Sequence, residues 1–429
     1  MAENTPDPKV PVTQPAAHGD GPGLAGNMAS AFIQSPLSPI FLIASMAIGL
    51  LGLVFTPRQE DPQISVPMVD IFVQYPGASS TQVSLLVADP LERIMSEIPG
   101  VDHVYSASRR SQAMVTVQFE VGEEMGPSLV KLYDKLQSNL DRIPPGVSQP
   151  LVKPKGIDDV PAVAVTLSSA SLDDNSLREL ALDVLQRIKE VPDTGPADII
   201  GGRSSQIRVE ITPERLSGYG ISLDQIANAI RTANNEVTSG QLDLGGRNFV
   251  VLSGRFLTSS SDVEQLVVGI RDGQPVYMSD VANVFQGPEE SKMLVKHYTG
   301  QSKSDTTPEA NGDPAVTITV AKNIGTNGVV VANNILAKVE SLKGYLIPDN
   351  VRVTVTRNYG KTANDKVNEL LFKLFVATSA VTILVWFTLG SRAAIVVLVV
   401  IPVVILVTVF ATWVLGFTID RVSLFALIF

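Results

Sequence analysis

Three long stretches without a charged residue constrain this chain more than any other feature. They run over 39–55, 374–389 and 393–417. A membrane-crossing helix needs about 20 mostly apolar residues, and one charge at its centre costs roughly 2.5–3.5 kcal/mol. Pro402 lies within the third stretch, and membrane spans tolerate proline where neighbouring groups satisfy the freed carbonyl. The stretches therefore predict three transmembrane helices.

The order of these stretches predicts the membrane topology. No small-residue cleavage site follows the first stretch, which favours an uncleaved anchor over a signal peptide. The Pro/Gly/Ala-rich residues 1–34 before it are predicted to be a disordered cytoplasmic tail. Arg392 favours a cytoplasmic turn between the second and third spans, which puts residues 58–367 in the periplasm of a Gram-negative cell. Residues 422–429 are predicted to open a fourth span that the sequence does not finish.

Composition and motifs argue against several classes of function. The chain has no cysteine, which excludes disulfides and thiolate chemistry, and its net charge of −10 with no basic run argues against nucleic acid. His18, His103 and His297 have no metal-ligand spacing. No Walker pattern and no Ser/His/Asp motif is present. We therefore predict no catalytic site, no metal site and no bound cofactor, and hence a protein that is not an enzyme.

Charged pairs and methionines have structural interpretations. Asp158 and Asp159 precede a strand and are predicted to form a solvated turn. Glu369 and Lys373 stand four residues apart on one helix face, which predicts an ion pair at the mouth of the second span. Asp420 is predicted to cap the next helix. The methionines, Met293 among them, are scattered, which favours packing over metal handling.

The region between the first two spans repeats a strand–helix–strand pattern. The first copy has a strand at 69–73, a helix at 79–97, a second strand after the turn at 98–101, a third strand at 113–119 and a helix that opens at Ser128. Matching elements follow in the second copy at an offset of about 93 residues. These are strands at 162–166 and 207–211, with helices at 175–190 and from Ser222. Two such units in one sheet make a ferredoxin-like sandwich.

Two segments depart from the repeat, and a shorter third copy follows them. Residues 234–287 contain glycine turns around 247–253, which predicts a β-hairpin. Residues 301–313 are polar and predict a flexible loop. The third copy is predicted to have a strand at 315–320, a helix at 326–342 and a strand at 351–356.

Several short motifs resemble one family of membrane transporters. They are Glu60-Asp61-Pro62-Gln63, Tyr75-Pro76-Gly77-Ala78, Ile98-Pro99-Gly100-Val101, Ala233-Asn234, Ser239-Gly240-Gln241, Asp280-Val281-Ala282 and Gly390-Ser391-Arg392. In this order, between one span and a pair of spans, they resemble the inner-membrane subunit of resistance-nodulation-division (RND) efflux pumps, in the hydrophobe/amphiphile branch. The resemblance runs from about Ser35 to Phe429 and covers only the N-terminal part of such a subunit.

The resemblance implies a fold class and a domain order. The class is membrane α-helical spans plus an α+β periplasmic region, with repeated ferredoxin-like β-α-β porter subdomains and an inserted docking subdomain. The implied order is a tail at 1–34, span 1 at 35–57, porter subdomain 1 at 64–153, porter subdomain 2 at 154–202 and 290–357, the docking subdomain at 203–289, span 2 at 366–389, span 3 at 392–416, and the start of span 4 at 421–429.

The resemblance also implies a function and partners. It implies proton-driven export of hydrophobic or amphiphilic compounds from the periplasm or the inner-membrane leaflet. It further implies a multi-pass inner-membrane homotrimer that works with a periplasmic adaptor and an outer-membrane channel. The alternatives are an RND exporter of metal ions or lipids, and a membrane-anchored periplasmic scaffold that transports nothing.

The resemblance implies site residues as well. The substrate-path candidates are Val163, Ile200, Gly201 and Met293, and the candidates for an arm that reaches the next subunit of the trimer are Val237, Gly240, Gln241, Gly245 and Gly246. The chain departs from the family in two respects. The proton-relay carboxylates would lie beyond Phe429, so this chain holds no relay, and small or aliphatic residues near Val163 and Ile200 replace the aromatic lining of the family's drug pocket.

Overall fold

The computed structural model describes Phe32, residues 35–59, Pro62, residues 66–300 and residues 309–428. The chain divides into two compact units. The helical unit contains residues up to Pro57 and from Val367 onward, and the α/β unit contains Arg58–Lys366.

The described α-helices and β-strands are interspersed along the chain, and each type is numbered in chain order. The helices are α1 (Leu37–Phe55), α2 (Ser80–Val83), α3 (Asp89–Ser96), α4 (Met125–Gln137), α5 (Asp174–Ile188), α6 (Pro213–Tyr219), α7 (Leu223–Ala233), α8 (Ser260–Glu264), α9 (Met278–Val281), α10 (Gly328–Leu342), α11 (Tyr359–Leu389), α12 (Ser391–Val414) and α13 (Arg421–Ile428). The strands are β1 (Met68–Gln74), β2 (Val101–Arg109), β3 (Gln112–Phe119), β4 (Leu151–Lys155), β5 (Val163–Ser168), β6 (Thr194–Ile200), β7 (Ser205–Ile211), β8 (Asn235–Leu244), β9 (Arg247–Arg255), β10 (Val267–Arg271), β11 (Gln274–Tyr277), β12 (Ala282–Pro288), β13 (Lys296–Tyr298), β14 (Asn311–Lys322) and β15 (Arg352–Asn358).

The first sandwich is formed by one continuous segment of the chain, from β1 to β4. Its sheet has the strand order β2-β3-β1-β4, and every pair of neighbouring strands is antiparallel. Alternate residues of β1, such as Ile71, pack against Met95 and Leu132 of the helices, and all three side chains are completely buried. The predicted elements of the first copy are therefore present. Strand β4, which closes the sheet on one side, was not predicted.

The first helical segment of this sandwich is not a regular α-helix. Between α2 and α3 the residues Ser84–Ala88 form a π-turn, which holds one extra residue in the helix. Ser79 caps the segment by accepting a hydrogen bond from the Gln82 N–H. The π-turn leaves Leu85 and Leu86 exposed while Val87 is buried.

The second sandwich has the same strand order but is assembled from distant segments. Its sheet runs β6-β14-β5-β15, with the short strand β13 also paired to β14. The prediction that 207–211 is the third strand of this unit is wrong, because that segment lies in β7 and pairs with β12 outside the sheet. The third copy is likewise not a separate unit. Its elements β14, α10 and β15 complete the second sandwich, because β5, α5 and β6 alone would leave the sheet half covered.

The segment between β6 and β14 forms a separate core. Strands β7 and β12 make one two-stranded sheet, β10 and β11 make another, and α6–α9 accompany them. Ile226, Met278 and Val284 are among the residues of its buried core. Strands β8 and β9 form the predicted hairpin.

The helical unit contains three helices that are long and apolar enough to cross a membrane, among the residues that the structure describes. They are α1, α11 and α12, in agreement with the three predicted spans, and α12 continues through Pro402. Gly390 alone separates α11 from α12, and its φ of 90° is a conformation that favours glycine. Lys373 Nζ lies 2.8 Å from Glu369 Oε1, which confirms that pair. Asp420 accepts hydrogen bonds from the N–H groups of Val422 and Ser423, which confirms the predicted cap.

Helices α1 and α12 approach closely because α1 presents two glycines. Gly49 and Gly52 are the residues of α1 that are buried. A Cβ atom at Gly52 would lie 2.6 Å from the Phe410 Cα, and one at Gly49 would lie 2.4 Å from the Leu406 Cβ. Small residues allow such contact between membrane helices, where dispersion and packing replace the hydrophobic effect.

Some predictions fall outside the described residues. The tail at 1–34, except Phe32, lies outside them, as do most of the motif that begins at Glu60 and residues 301–308 of the predicted loop. The rest of that loop is not irregular, because β14 begins at Asn311.

Replacement of Gly52 by valine should force α1 away from α12. We expect Gly52→Val to lower the free energy of unfolding by about 1–3 kcal/mol, the usual cost of overpacking. The measurement is the thermal unfolding midpoint of the chain in detergent. Ala47→Val is the control, since Ala47 lies on the exposed side of the same helix. Equal midpoints for the two variants would contradict the close contact.

Candidate functional site

The uncovered face of the second sandwich is lined by threonines. Val165 of β5 and Ile318 of β14 point into the core beneath α5 and α10. Successive side chains of a strand point to opposite faces, so the residues next to Val165 and Ile318 in each strand point away from the helices. We call these four residues, Thr166, Thr317, Thr319 and Thr356, the threonine face.

The hydroxyl groups of the threonine face bond mainly to each other and to the sheet. Thr166 Oγ1 lies 2.8 Å from Thr317 Oγ1 and 3.1 Å from Thr356 Oγ1. Thr319 donates to the Asp198 carbonyl at 3.1 Å. Thr166 and Thr319 are buried, Thr317 is half-buried and Thr356 is exposed. The hydroxyl groups of this face are therefore largely satisfied within the sheet, and Thr356 is the member most open to contact.

Strand β6 adds one carboxylate and one large apolar side chain to this face. Ala197 and Ile199 pack against the core, so Asp198 and Ile200 point to the threonine side. In the register of the sheet Asp198 stands opposite Thr319, and Ile200 stands opposite Thr317. Asp198 is exposed, and 43% of Ile200 is exposed.

The four substrate-path candidates do not share one environment. Val163 is completely buried in the helix-covered core, whereas Ile200 and Met293 are exposed. Met293 precedes β13, so it does not have a core position as the packing interpretation of the methionines expected. Gly201 is buried and has a φ of 88°, and a Cβ there would lie 2.6 Å from Val295 Cγ2. Gly201 thus provides the space in which the chain before β13 crosses the end of β6.

The chain leaves the second sandwich through a fixed connection. Arg203 binds Asp174 at the start of α5 through Nε at 2.9 Å and Nη2 at 2.7 Å. This hydrogen bond raises the pKa of Arg203. Hydrogen bonds from Ser176, side chain and backbone, hold the pKa of Asp173 below its usual range. On the returning chain, the Glu289 N–H donates to the Ser204 carbonyl at 2.9 Å, so the two connecting segments are joined to each other.

The hairpin carries the five arm candidates, and every residue of its two strands is exposed. Gly245 and Gly246 form its turn with φ values of 59° and 76°, as a two-residue turn between twisted strands requires. Gly240 follows a register shift in β8, and Gln241 accepts a hydrogen bond from Asn248. Val237 is 54% exposed and Phe249 is 50% exposed. A two-stranded hairpin is marginally stable by itself, and the apolar side chains of this one are exposed to solvent.

The base of the hairpin is held by one carboxylate. Asp262 Oδ2 accepts hydrogen bonds from the N–H groups of Thr258 and Ser259, each at 3.1 Å, and Oδ1 lies 2.5 Å from Arg255 Nη2. The Thr258 N–H is the largest cause that lowers the pKa of Asp262, followed by Ser259. Asp262 therefore fixes the direction in which β9 leaves the core.

Comparison with known proteins identifies the family. The model of the AcrB/AcrD/AcrF family matches residues 28–429, nearly the whole chain. The chain belongs to this family. Its members of the MdtC type in Yersinia pseudotuberculosis and Yersinia pestis, both called multidrug resistance protein MdtC, are each 26% identical to it over 400 residues. The match covers 92% of this chain but only 38% of each relative, so the chain spans less than half of their length.

The family resemblance did not predict one ion pair of the α/β unit. Lys322 Nζ lies 2.6 Å from Asp158 Oδ1, and the two side chains are only 11% and 14% exposed. The interpretation of Asp158 as a solvated residue is therefore wrong. Asp159 is exposed and accepts a hydrogen bond from the Gly156 N–H, as a turn residue would. No local pattern could predict this pair, because its members are 164 positions apart.

The described part of the chain holds no group of three or more His, Asp or Glu side chains that could bind a metal ion.

Loss of the Asp158 charge should leave Lys322 with an uncompensated buried charge. We expect Asp158→Asn to lower the free energy of unfolding of the α/β unit by about 3 kcal/mol, as for other broken buried pairs. Urea-dependent proteolysis measures this change. The control is Arg187→Gln, which breaks an exposed pair with Glu190 and should cost much less, because solvent screens exposed pairs. A loss for Asp158→Asn no larger than that of the control would contradict the structure.

Acid should loosen the base of the hairpin through Asp262. Because the folded state lowers its pKa, its stabilisation is present above the unfolded value near pH 3.9 and is lost as pH falls through the lower folded value. We expect Asp262→Asn to give, at neutral pH, the faster amide exchange at 255–259 that the unchanged chain shows only below about pH 4. Exchange measured by mass spectrometry tests this. Asp243→Asn within the arm is the control and should leave exchange at 255–259 unchanged.

Proposed function

We propose that this chain is part of a proton-driven RND efflux transporter that exports amphiphilic compounds across the bacterial envelope. The observation that carries the proposal is a pair of sandwiches with one strand order, in a chain of the AcrB/AcrD/AcrF family that also has three helices long and apolar enough to cross a membrane. The relatives named multidrug resistance proteins support export of several compounds rather than one.

The two sandwiches are proposed to be ferredoxin-like porter subdomains at 64–153 and at 154–202 with 290–357. Their β-α-β-β-α-β order and the antiparallel sheet support this assignment. Residues 203–289 are proposed to be the docking subdomain. Its separate core and its joined connecting segments support movement as one body.

The hairpin is proposed to be the arm that reaches the next subunit of a homotrimer. Its exposed apolar side chains and its fixed base support this role, because an arm must keep its direction until a partner covers it. A periplasmic adaptor and an outer-membrane channel are proposed as further partners. The location is proposed to be the inner membrane, with the α/β unit in the periplasm.

Substrate is proposed to enter a cleft that includes the threonine face. Two packed arrangements of the sandwiches, one open and one closed, would alternate during transport. Asp198 is the carboxylate on β6 at this face, beside the apolar Ile200. This combination favours cationic amphiphiles, in which an apolar ring or chain accompanies a positive charge. Strands β5, β6, β14 and β15 contain no aromatic residue, which argues against ring stacking on this sheet as the main contact.

Proton influx is proposed as the energy source. Charge-free stretches at 374–389 and 393–417 leave the membrane part of this chain without a relay carboxylate there. The relay is therefore proposed to lie in the portion of the transporter that the relatives have in addition to the matched segment.

Dye accumulation in a pump-deficient bacterial strain tests the proposal. The strain would express this chain alone or the gene extended to the length of its relatives. We expect the extended gene to lower the accumulation of cationic ethidium and neutral Nile red, and a protonophore to abolish the effect. Asp198→Asn should weaken ethidium export about two- to fivefold, the effect of one exposed charge pair, with Nile red export unchanged.

Asp183→Asn is the matched control, because Asp183 is an exposed residue of α5, the helix on the other side of the same sheet. Dye retention that the extended gene does not change would overturn the export function and favour a scaffold. Copper or silver resistance without dye export would favour a metal exporter. Equal loss of both dyes in Asp198→Asn would overturn the cationic substrate class alone.

A further inference from the structure

A narrow apolar groove lies on the helical side of the first sandwich. Its walls come from the π-turn and α3 on the one hand, and from the end of α4 and the loop that leads to β4 on the other. The groove is partly open to solvent and has a cavity volume of about 40 Å³. Its lining is mostly apolar and includes Leu86, Pro90 and Leu91 from the helical segment, and Ile143, Pro144 and Val147 from the loop.

The π-turn shapes one wall of this groove. It holds one more residue than a regular helical turn, and its Val87 is buried while the neighbouring Leu86 stays 45% exposed at the groove. Single π-turns within α-helices occur frequently at functional sites. The backbone of 84–88 is therefore a second indication, independent of the groove itself, that a ligand binds here.

Three polar residues line the groove, and one of them has hydrogen-bond donors to offer. Ser148 Oγ accepts a hydrogen bond from a main-chain N–H of β1 at 2.9 Å, and Asn139 Nδ2 donates to the Lys135 carbonyl at 2.8 Å. Within the part of the chain that the structure describes, the Arg142 guanidinium makes no hydrogen bond. Glu97 lies within electrostatic reach of Arg142, but it binds Lys135 Nζ at 2.7 Å. Arg142 therefore has its donors available to a ligand in the groove.

We propose that this groove binds an anionic amphiphile with a single alkyl chain, whose carboxylate pairs with Arg142. A guanidinium matches the two oxygens of a carboxylate, and the apolar walls at Leu86 and Val147 suit a hydrocarbon chain. The narrow groove favours one alkyl chain over a fused ring system. The site lies on a different sandwich from the threonine face, its ligand has the opposite charge to the cationic amphiphiles proposed there, and its occupation requires no transport.

The lack of cysteine in the chain allows a direct test with a single introduced thiol. Leu86→Cys places that thiol at the groove, and Leu85→Cys is the matched control, because Leu85 is exposed but lies outside the lining. Each variant of the whole chain is reconstituted in nanodiscs, and alkylation by iodoacetamide is followed by mass spectrometry with and without octanoate. At about ten times its dissociation constant, octanoate should slow alkylation of Leu86→Cys roughly tenfold and leave Leu85→Cys unchanged.

Further variants and ligands test the charge and the alkyl chain separately. In the Leu86→Cys background, Arg142→Gln should raise the half-protecting octanoate concentration about three- to fivefold, the effect of one exposed charge pair. Arg93→Gln is the matched control, because Arg93 is exposed on α3 and lies outside the lining. Octanamide, which has the chain without the charge, should protect the unchanged groove as weakly as octanoate protects Arg142→Gln. Acetate, which has the charge without the chain, should give no protection.

Several results would overturn the proposal. They are an unchanged alkylation rate of Leu86→Cys in octanoate, equal protection of Leu85→Cys, protection by acetate, and the same half-protecting concentration with and without Arg142. Equal protection by octanamide and octanoate would also overturn it, because the ligand would then not be recognised by its charge. Protection of the β3 amides against exchange reports whether Leu86→Cys is folded. If that protection is lost, Val147→Cys places the thiol on the loop wall of the groove and has to meet the same expectations.

Discussion

The α/β unit depends on one constraint, which is that the sheet of each sandwich must be covered on one face by two helices. In the first sandwich α3 and α4 bury Ile71 and its neighbours, and in the second α5 and α10 bury Val165 and Ile318. A single strand–helix–strand unit cannot meet this requirement. The second sandwich therefore has to recruit β14, α10 and β15 after the inserted segment. The open faces, the connection to the insertion and the segment that crosses the end of β6 all follow from that assembly.

Local sequence patterns predicted the helices and strands well, but they did not predict which strands pair when those strands are far apart in the chain. Alternation in β1, β3, β5 and β14 and the apolar faces of the helices gave correct elements, because these signals depend on neighbouring residues. The wrong assignment of 207–211 arose because β7 has the same alternation as a sandwich strand but pairs with β12. The π-turn at Ser84–Ala88 has no comparable signal, since it inserts one residue into an ordinary helical sequence.

The candidate site was predictable only in part, for a related reason. Gly201 and Ile200 could be singled out by resemblance, yet which face each residue occupies depends on strand register. The strand at 315–320 was predicted, but the sequence did not show which strands would lie beside Thr317 and Thr319. The contact of Lys322 with Asp158 joins residues 164 positions apart. Nothing in a single sequence relates such positions.

The inserted segment has a consequence for the order of synthesis. The first sandwich consists of consecutive residues from β1 to β4 and can close soon after they emerge, whereas Thr166 must wait for Thr317, 151 residues later. At about 5–20 residues per second this interval is roughly 8–30 s. Throughout it both edges of β5 lack their partner strands β14 and β15, and the apolar hairpin emerges within the same interval. Loops this long also slow the final closure. The fraction of this protein that folds would then depend on how well the unpaired strand edges are protected during synthesis, rather than on the stability of the folded state.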